Sequence, residues 1–175
     1  MVTKKIYIIF FFCISIVFFA CKKNADTSAS VDIGSWKVGS KTYTPTFTTS
    51  STSNSPFNYN YTLYAYVQMP STTPIVDMLM VVFMNKPTTS GVYKIVNKTT
   101  ADSRANDEII VQAVEEIGSK GAKAKTEGKT ATVTVINGKI SVEIPIVNAV
   151  YDDYPSAGNP LLQSTRTLEA TIREQ

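Results

Sequence analysis

The chain of 175 residues contains no histidine and only two cysteines, Cys13 and Cys21. The absence of histidine excludes nucleophilic catalysis by a Ser-His-Asp or Cys-His arrangement. It also excludes zinc sites with histidine ligands and the most common proton shuttle near neutral pH. We therefore expect no catalytic residues, no cofactor and no metal site, and we predict that the protein is not an enzyme.

The first 21 residues have the features of an export segment. Lys4 and Lys5 form a charged start, and the apolar segment Ile6–Ala20, with 15 residues, is shorter than the roughly 20 residues that span a bilayer. An ordinary signal peptidase needs a small residue where Phe18 lies, whereas Ala20 directly precedes Cys21. The segment is thus similar to the signal peptide and lipobox of bacterial lipoproteins, in which residues 1–20 are removed and Cys21 is lipidated. An uncleaved short membrane anchor is the alternative.

Lipidation of Cys21 would hold the protein at the cell envelope. Each buried CH₂ of an acyl chain contributes about 0.8 kcal/mol, so more than one chain gives stable attachment without insertion of the protein. We expect the membrane to be a partner through lipidated Cys21, with the outer membrane favoured because Lys22 rather than Asp follows that residue. The side of the membrane stays open.

The rest of the chain is long enough for one domain. Loss of Lys4 and Lys5 reduces the formal net charge from +3 to +1, and no basic face is expected, so a nucleic-acid partner is not predicted. Residues 21–32 are polar after the cysteine and lack large apolar side chains, which is typical of a flexible tether. Residues 33–175 are predicted to form a single domain.

Two hairpins can be predicted from turn residues and alternation. Gly39-Ser40 fits a type II′ turn that places Trp36 opposite Tyr43. Asn137-Gly138 fits a type I′ turn. This second turn pairs the apolar residues Val135 with Ile140, Val133 with Val142, and Ala131 with Ile144, so that they share one face.

Other segments also have the pattern of strands. Tyr59–Met69 alternates between apolar and polar residues, Met78–Met84 is apolar on both faces, and Thr165–Arg173 is a terminal strand. The Ser/Thr-rich segment Thr48–Pro56 is interpreted as a loop, and so is Tyr151–Gln163. Many short strands and no convincing helix predict an all-β fold, an antiparallel β-sandwich, with an open or closed β-barrel as the alternative.

Taken together, these segments resemble small lipoproteins of Bacteroidetes type that carry one β-rich domain of unknown function. The resemblance implies a single sandwich-like domain on a lipid anchor, and it brings no activity with it. It depends on the Cys21 leader and on four further motifs: Trp36-x-Val38-Gly39-x-x-x-Tyr43, Ser90-Gly91-x-Tyr93-x-Ile95, Asn137-Gly138-Lys139-x-Ser141-Val142 and Leu168-x-Ala170-x-Ile172.

Four tyrosines form the candidate binding surface. Tyr64 and Tyr66 lie on the outer face of a predicted strand, and Tyr151 and Tyr154 lie in a predicted loop. Exposed aromatic side chains can stack on sugars or anchor a partner protein. We therefore predict a non-catalytic binding or structural module whose partner is a glycan or an envelope protein. Coverage of Tyr64 and Tyr66 by a loop or a second sheet is the alternative.

Two other functions are weaker hypotheses. Met78, Met80 and Met84 suggest a lipocalin-like carrier of an apolar ligand. Asp152 and Asp153 suggest a carboxylate-based hydrolase, because paired carboxylates can hydrolyse glycosides.

The predicted lipidation can be checked by intact-mass spectrometry of the protein isolated from the cells that make it. We expect residues 1–20 to be absent and the mass to be raised by acyl chains on Cys21, because only a processed cysteine carries them. An unmodified sulfur with residues 1–20 still in place would contradict the prediction.

Overall fold

Eleven β-strands make up the secondary structure of the described residues. The computed structural model describes residues 32–52, 61–68, 76–98, 104–115, 120–153 and 162–175, and these ranges contain no helix. The strands are β1 (Gly34–Val38), β2 (Lys41–Tyr43), β3 (Phe47–Ser51), β4 (Tyr61–Gln68), β5 (Val76–Phe83), β6 (Gly91–Ile95), β7 (Glu108–Glu115), β8 (Lys120–Ala124), β9 (Thr130–Ile136), β10 (Lys139–Asp153) and β11 (Leu162–Arg173).

All eleven strands belong to one hydrogen-bonded sheet. Their order is β2-β1-β11-β10-β9-β6-β7-β5-β4-β3, and β8 pairs with both β7 and β10. The predicted all-β fold is confirmed. The sheet is mixed rather than purely antiparallel, because β6 and β7 pair in parallel at Lys94–Glu108 and Ile95–Ile109.

The long strand β10 explains why the hydrogen bonds run through one sheet rather than through two separate ones. Its first residues pair with β9 and its last residues with β8, while its other edge pairs with β11. The register of that last pair shifts between Ile144 and Val147, as at a β-bulge, which bends a strand. A bent strand of 15 residues thus carries the sheet around the core.

Both predicted hairpins are confirmed. Trp36 lies opposite Tyr43 and the two rings stack at a centroid distance of 5.1 Å. The backbone angle φ is 58° at Gly39, as the first position of a type II′ turn requires. At the second hairpin φ is 52° at Asn137 and 76° at Gly138, as a type I′ turn requires. Next to the turn Ile136 pairs with Lys139, and the predicted pairs Val135–Ile140 and Val133–Val142 are present.

One face of the sheet forms the core. In β5 the side chains of Leu79, Val81 and Phe83 are fully buried, whereas Met78 and Met80, at alternate positions, are only partly buried. Strands from both halves of the sheet order contribute to the same apolar cluster. A single sheet can bury one face of all its strands in one cluster only by curving around that face. Asp32–Gln175 accordingly forms one compact unit.

Hydrogen bonds to the last residues of the chain join strands that are distant in the sheet order. Thr48 of β3 donates a hydrogen bond from Oγ1 to the carbonyl oxygen of Arg173 (2.8 Å), and its Oγ1 accepts one from the backbone N–H of Gln175 (3.0 Å). These bonds connect edge strand β3 to the last residue of β11 and to Gln175 beyond it.

The carboxylate of Glu174 adds four contacts at the same place. Its Oε1 accepts hydrogen bonds from the hydroxyls of Tyr61 (2.7 Å) and Ser50 (3.0 Å), and its Oε2 accepts one from the backbone N–H of Ile140 (3.1 Å). Lys86 Nζ lies 3.8 Å from Oε1. One side chain thus links β3 and β4 with β10.

Burial alone would raise the pKa of Glu174, but the hydrogen bonds from Tyr61, Ser50 and Ile140 outweigh it, and Lys86 adds to them. The pKa is therefore lowered below its ordinary value. A carboxyl group whose pKa is lower in the folded state contributes stability above its unfolded pKa, and loses it as the pH falls through the folded pKa.

Replacement of Glu174 by Gln is therefore expected to lower the free energy of unfolding by about 1–3 kcal/mol at neutral pH, because it weakens charge-assisted hydrogen bonds. The difference from the unchanged protein should shrink as the pH falls below about 4. Urea unfolding at several pH values measures both effects. Glu143→Gln, at an exposed position of β10, is the matched control and should change little; an equal loss in both variants would contradict the assignment.

Candidate binding surface

Three aromatic side chains stack on the outer face of β3 and β4. Phe47 lies opposite Tyr66 in the strand register, and Tyr64 shares their face because it is two residues from Tyr66. The centroids of Phe47 and Tyr66 are 4.9 Å apart with planes inclined by 18°, and those of Tyr64 and Tyr66 are 5.7 Å apart with planes inclined by 13°. These are spacings of offset-stacked rings. Phe47 is 37% exposed and both tyrosines are partly exposed.

Two methionines extend this aromatic row onto the next strand. Met78 lies opposite Tyr66 and Met80 lies opposite Tyr64, so both side chains are on the outer face of the sheet. We call Phe47, Tyr64, Tyr66, Met78 and Met80 the aromatic–methionine surface. Burial, and secondarily the neighbouring Tyr64, raises the pKa of Tyr66, so its hydroxyl stays protonated at neutral pH. The surface contains no Asp, Glu, Lys or Arg side chain.

Tyr151 lies elsewhere in the molecule. It is 3% exposed and belongs to β10, which continues to Asp153 instead of ending before the predicted loop. Its ring is covered by the guanidinium of Arg166 at 3.4 Å. The structure thus separates Tyr151 from Tyr64 and Tyr66. Tyr154 and Cys21 lie outside the described residues.

The hydroxyl of Tyr151 is part of a buried polar cluster. It donates a hydrogen bond to Oε2 of Glu115 (2.9 Å), a residue that is 3% exposed. Burial first, and the adjacent carboxylate second, raise the pKa of Tyr151 to about 12. The same two causes raise the pKa of Tyr43 even further. Both tyrosines therefore remain neutral and Tyr151 acts as a hydrogen-bond donor inside the core.

The carboxylate pairs that could suggest hydrolysis do not converge. Asp152 and Asp153 are neighbours on β10, so their side chains point to opposite faces of the sheet. Asp107 instead forms an ion pair with Lys94 (3.1 Å). Glu108 likewise pairs with a lysine, Lys98 (2.8 Å). In the described ranges there is no group of three or more His, Cys, Asp or Glu side chains that could hold a metal ion.

Comparisons of the chain with protein-family models, with curated proteins and with solved structures found no match. The described part of the chain contains no helix with the length and apolar character needed to cross a membrane. The aromatic–methionine surface is therefore interpreted from the geometry of this chain alone.

The different environments of the tyrosines lead to a prediction for Tyr151→Phe. Loss of its hydroxyl leaves Oε2 of the buried Glu115 without its donor, so we expect a loss of about 1–3 kcal/mol in the free energy of unfolding. Tyr64→Phe is the matched control, because the Tyr64 hydroxyl makes only a 3.5 Å contact with Ser51. Urea denaturation compares the two variants. Equal stability of both would show that the buried hydrogen bond contributes nothing.

Proposed function

We propose that the protein is a lipid-anchored protein of the cell envelope that acts as a non-catalytic binding module, with the aromatic–methionine surface as its contact region. The observation that supports this proposal is the row of stacked rings, Phe47, Tyr66 and Tyr64, with two methionines beside it on the outer face of the sheet. Contiguous exposed apolar side chains are typical of interaction sites.

The fold does not need these side chains for its core. The alternate residues of the same strands, such as Leu63 in β4 and Leu79 in β5, are fully buried on the inner face. The outer positions could therefore hold polar residues without loss of the core, as Thr49 of β3 does. Aromatic rings are common among the residues that dominate binding energy, because they bury a large area with little loss of rotamer freedom.

The proposed location at the cell envelope rests on residues 1–21. A charged start, a short apolar segment and Ala20-Cys21 support export followed by lipidation, and the outer membrane is the favoured site. An anchored domain with a binding face would hold its ligand close to the cell surface or the periplasmic side of the envelope.

The carrier hypothesis receives no support from the described residues. It required the methionines of β5 to line an internal space, whereas Met78 and Met80 lie on the outer face. The inward residues of that strand, Leu79, Val81 and Phe83, are fully buried in the apolar cluster.

The proposed binding can be tested with the double variant Tyr64→Ser/Tyr66→Ser. We expect the unchanged protein, purified in detergent and immobilised, to retain material from solubilised envelope fractions or a glycan panel. The double variant should bind at least tenfold more weakly, because two residues at the centre of the contact are truncated.

A second double variant provides the control. Val92 and Ile136 are 62% and 65% exposed but lie on β6 and β9, away from the aromatic–methionine surface. Val92→Ser/Ile136→Ser should bind as the unchanged protein does. Equal loss in both double variants, or none in either, would refute the assignment of the surface, and failure of the unchanged protein to bind any fraction would refute the binding function.

A further inference from the structure

A shallow hollow lies on the outer face of the sheet, beside the aromatic–methionine surface. It has a volume of about 310 Å³, and it is lined by Gln112, Val114, Lys120, Gly121, Ala122, Lys123 and Asp152. In the strand register Gly121 lies between Val114 on β7 and Asp152 on β10. Because Gly121 has no side chain, the hollow lies over the backbone of β8 between the side chains of Val114 and Asp152.

Asp152 and Lys123 carry opposite charges and both line this hollow, but they do not form a hydrogen bond or ion pair with each other. Oδ1 of Asp152 is shielded from solvent and has no hydrogen-bond partner. Among the described residues, the ammonium of Lys123 takes part in no ion pair or hydrogen bond. Partial burial lowers the pKa of Lys123, which reflects the loss of water around its charge. Such groups gain free energy when a ligand supplies the missing hydrogen bonds.

The hollow is continuous with the aromatic–methionine surface. Val114 lies opposite Met78, and Gln112 lies opposite Met80. Three strand spacings of about 4.8 Å separate β8 from β4, so the distance across the face is about 14 Å. One extended ligand can therefore contact both the polar hollow and the aromatic rings.

We propose that the hollow and the aromatic–methionine surface together bind a neutral oligosaccharide that lies across β8, β7, β5 and β4. This inference rests on the proposed binding function and specifies its ligand. A sugar hydroxyl both donates and accepts hydrogen bonds, so one ligand can donate to Asp152 and accept from Lys123. The apolar C–H faces of the other sugar units would contact the tyrosines and methionines.

Charged ligands fit the same site less well. An anion would be repelled by Asp152, and a cation would be repelled by Lys123 and Lys120, because all three side chains line the same hollow. Of the two lysines, Lys120 already takes part in another interaction. A partner protein that used only the aromatic rings would leave both polar groups unpaired. The unpaired acceptor of Asp152, the unpaired donor of Lys123 and the Gln112 amide next to aromatic rings therefore favour a neutral polyhydroxylated ligand.

The test is calorimetric titration of the full chain, purified in detergent, with short neutral, anionic and cationic oligosaccharides. We expect binding of neutral oligosaccharides, and Asp152→Asn and Lys123→Met should each weaken it by about tenfold through loss of a charge-assisted hydrogen bond. The matched controls Glu143→Gln and Lys37→Met remove a carboxylate and a lysine ammonium on other parts of the sheet and should leave the affinity unchanged.

The possible results separate this inference from the proposed function. Binding of envelope material without binding of any neutral oligosaccharide would overturn the inference and leave the binding function intact. Selective binding of a charged oligosaccharide, or neutral binding that Asp152→Asn and Lys123→Met do not weaken, would also overturn it. Absence of both envelope and oligosaccharide binding would refute the proposed function itself.

Discussion

The fold depends on keeping a single sheet curved so that its inner face forms the core, and the side chain of Glu174 is central to that constraint. An edge strand such as β3 has unpaired backbone groups that favour contact with other chains. Here Glu174 binds Tyr61 and Ser50 from one end of the sheet order and the backbone of Ile140 from a distant strand. A carboxylate near the end of the chain thereby fixes two regions that the backbone ladder alone does not join.

This arrangement separates the inner face of the sheet, which forms the core, from the outer face, to which the proposed function assigns binding. Residues on the inner face are buried together in one cluster, so a change there alters packing throughout the core. Residues on the outer face, such as Tyr64 and Met80, lie opposite each other on β4 and β5 and are only partly buried. The buried bond between Tyr151 and Glu115 belongs to the first group, although the sequence places Tyr151 near an exposed loop.

The sequence predicts the local parts of this fold better than the distant ones. Turn residues and alternation were sufficient for the hairpins at Gly39 and Asn137, because both signals lie within a few residues. The loop predicted for Thr48–Pro56 is wrong for Thr48–Ser51, which belong to β3, while residues 53–56 lie outside the described residues. The Ser/Thr residues of β3 show no apolar alternation, and the strand is defined by its pairing with β4. Likewise the stacking of Phe47 on Tyr66 and the role of Glu174 depend on pairing between residues far apart in sequence, which no local pattern contains.

A shallow site on an open sheet face binds weakly by itself, because it encloses little of its ligand and gains little from displaced water. If the protein is lipid-anchored, as the proposed function states, the anchor would compensate for this weak binding. Many copies held on one membrane raise the effective concentration around a polymeric ligand, so that modest contacts at each domain add to a strong overall attachment. On the proposed function, an anchored domain with an aromatic binding face is therefore suited to retention of a repeated ligand rather than to capture of a single small molecule.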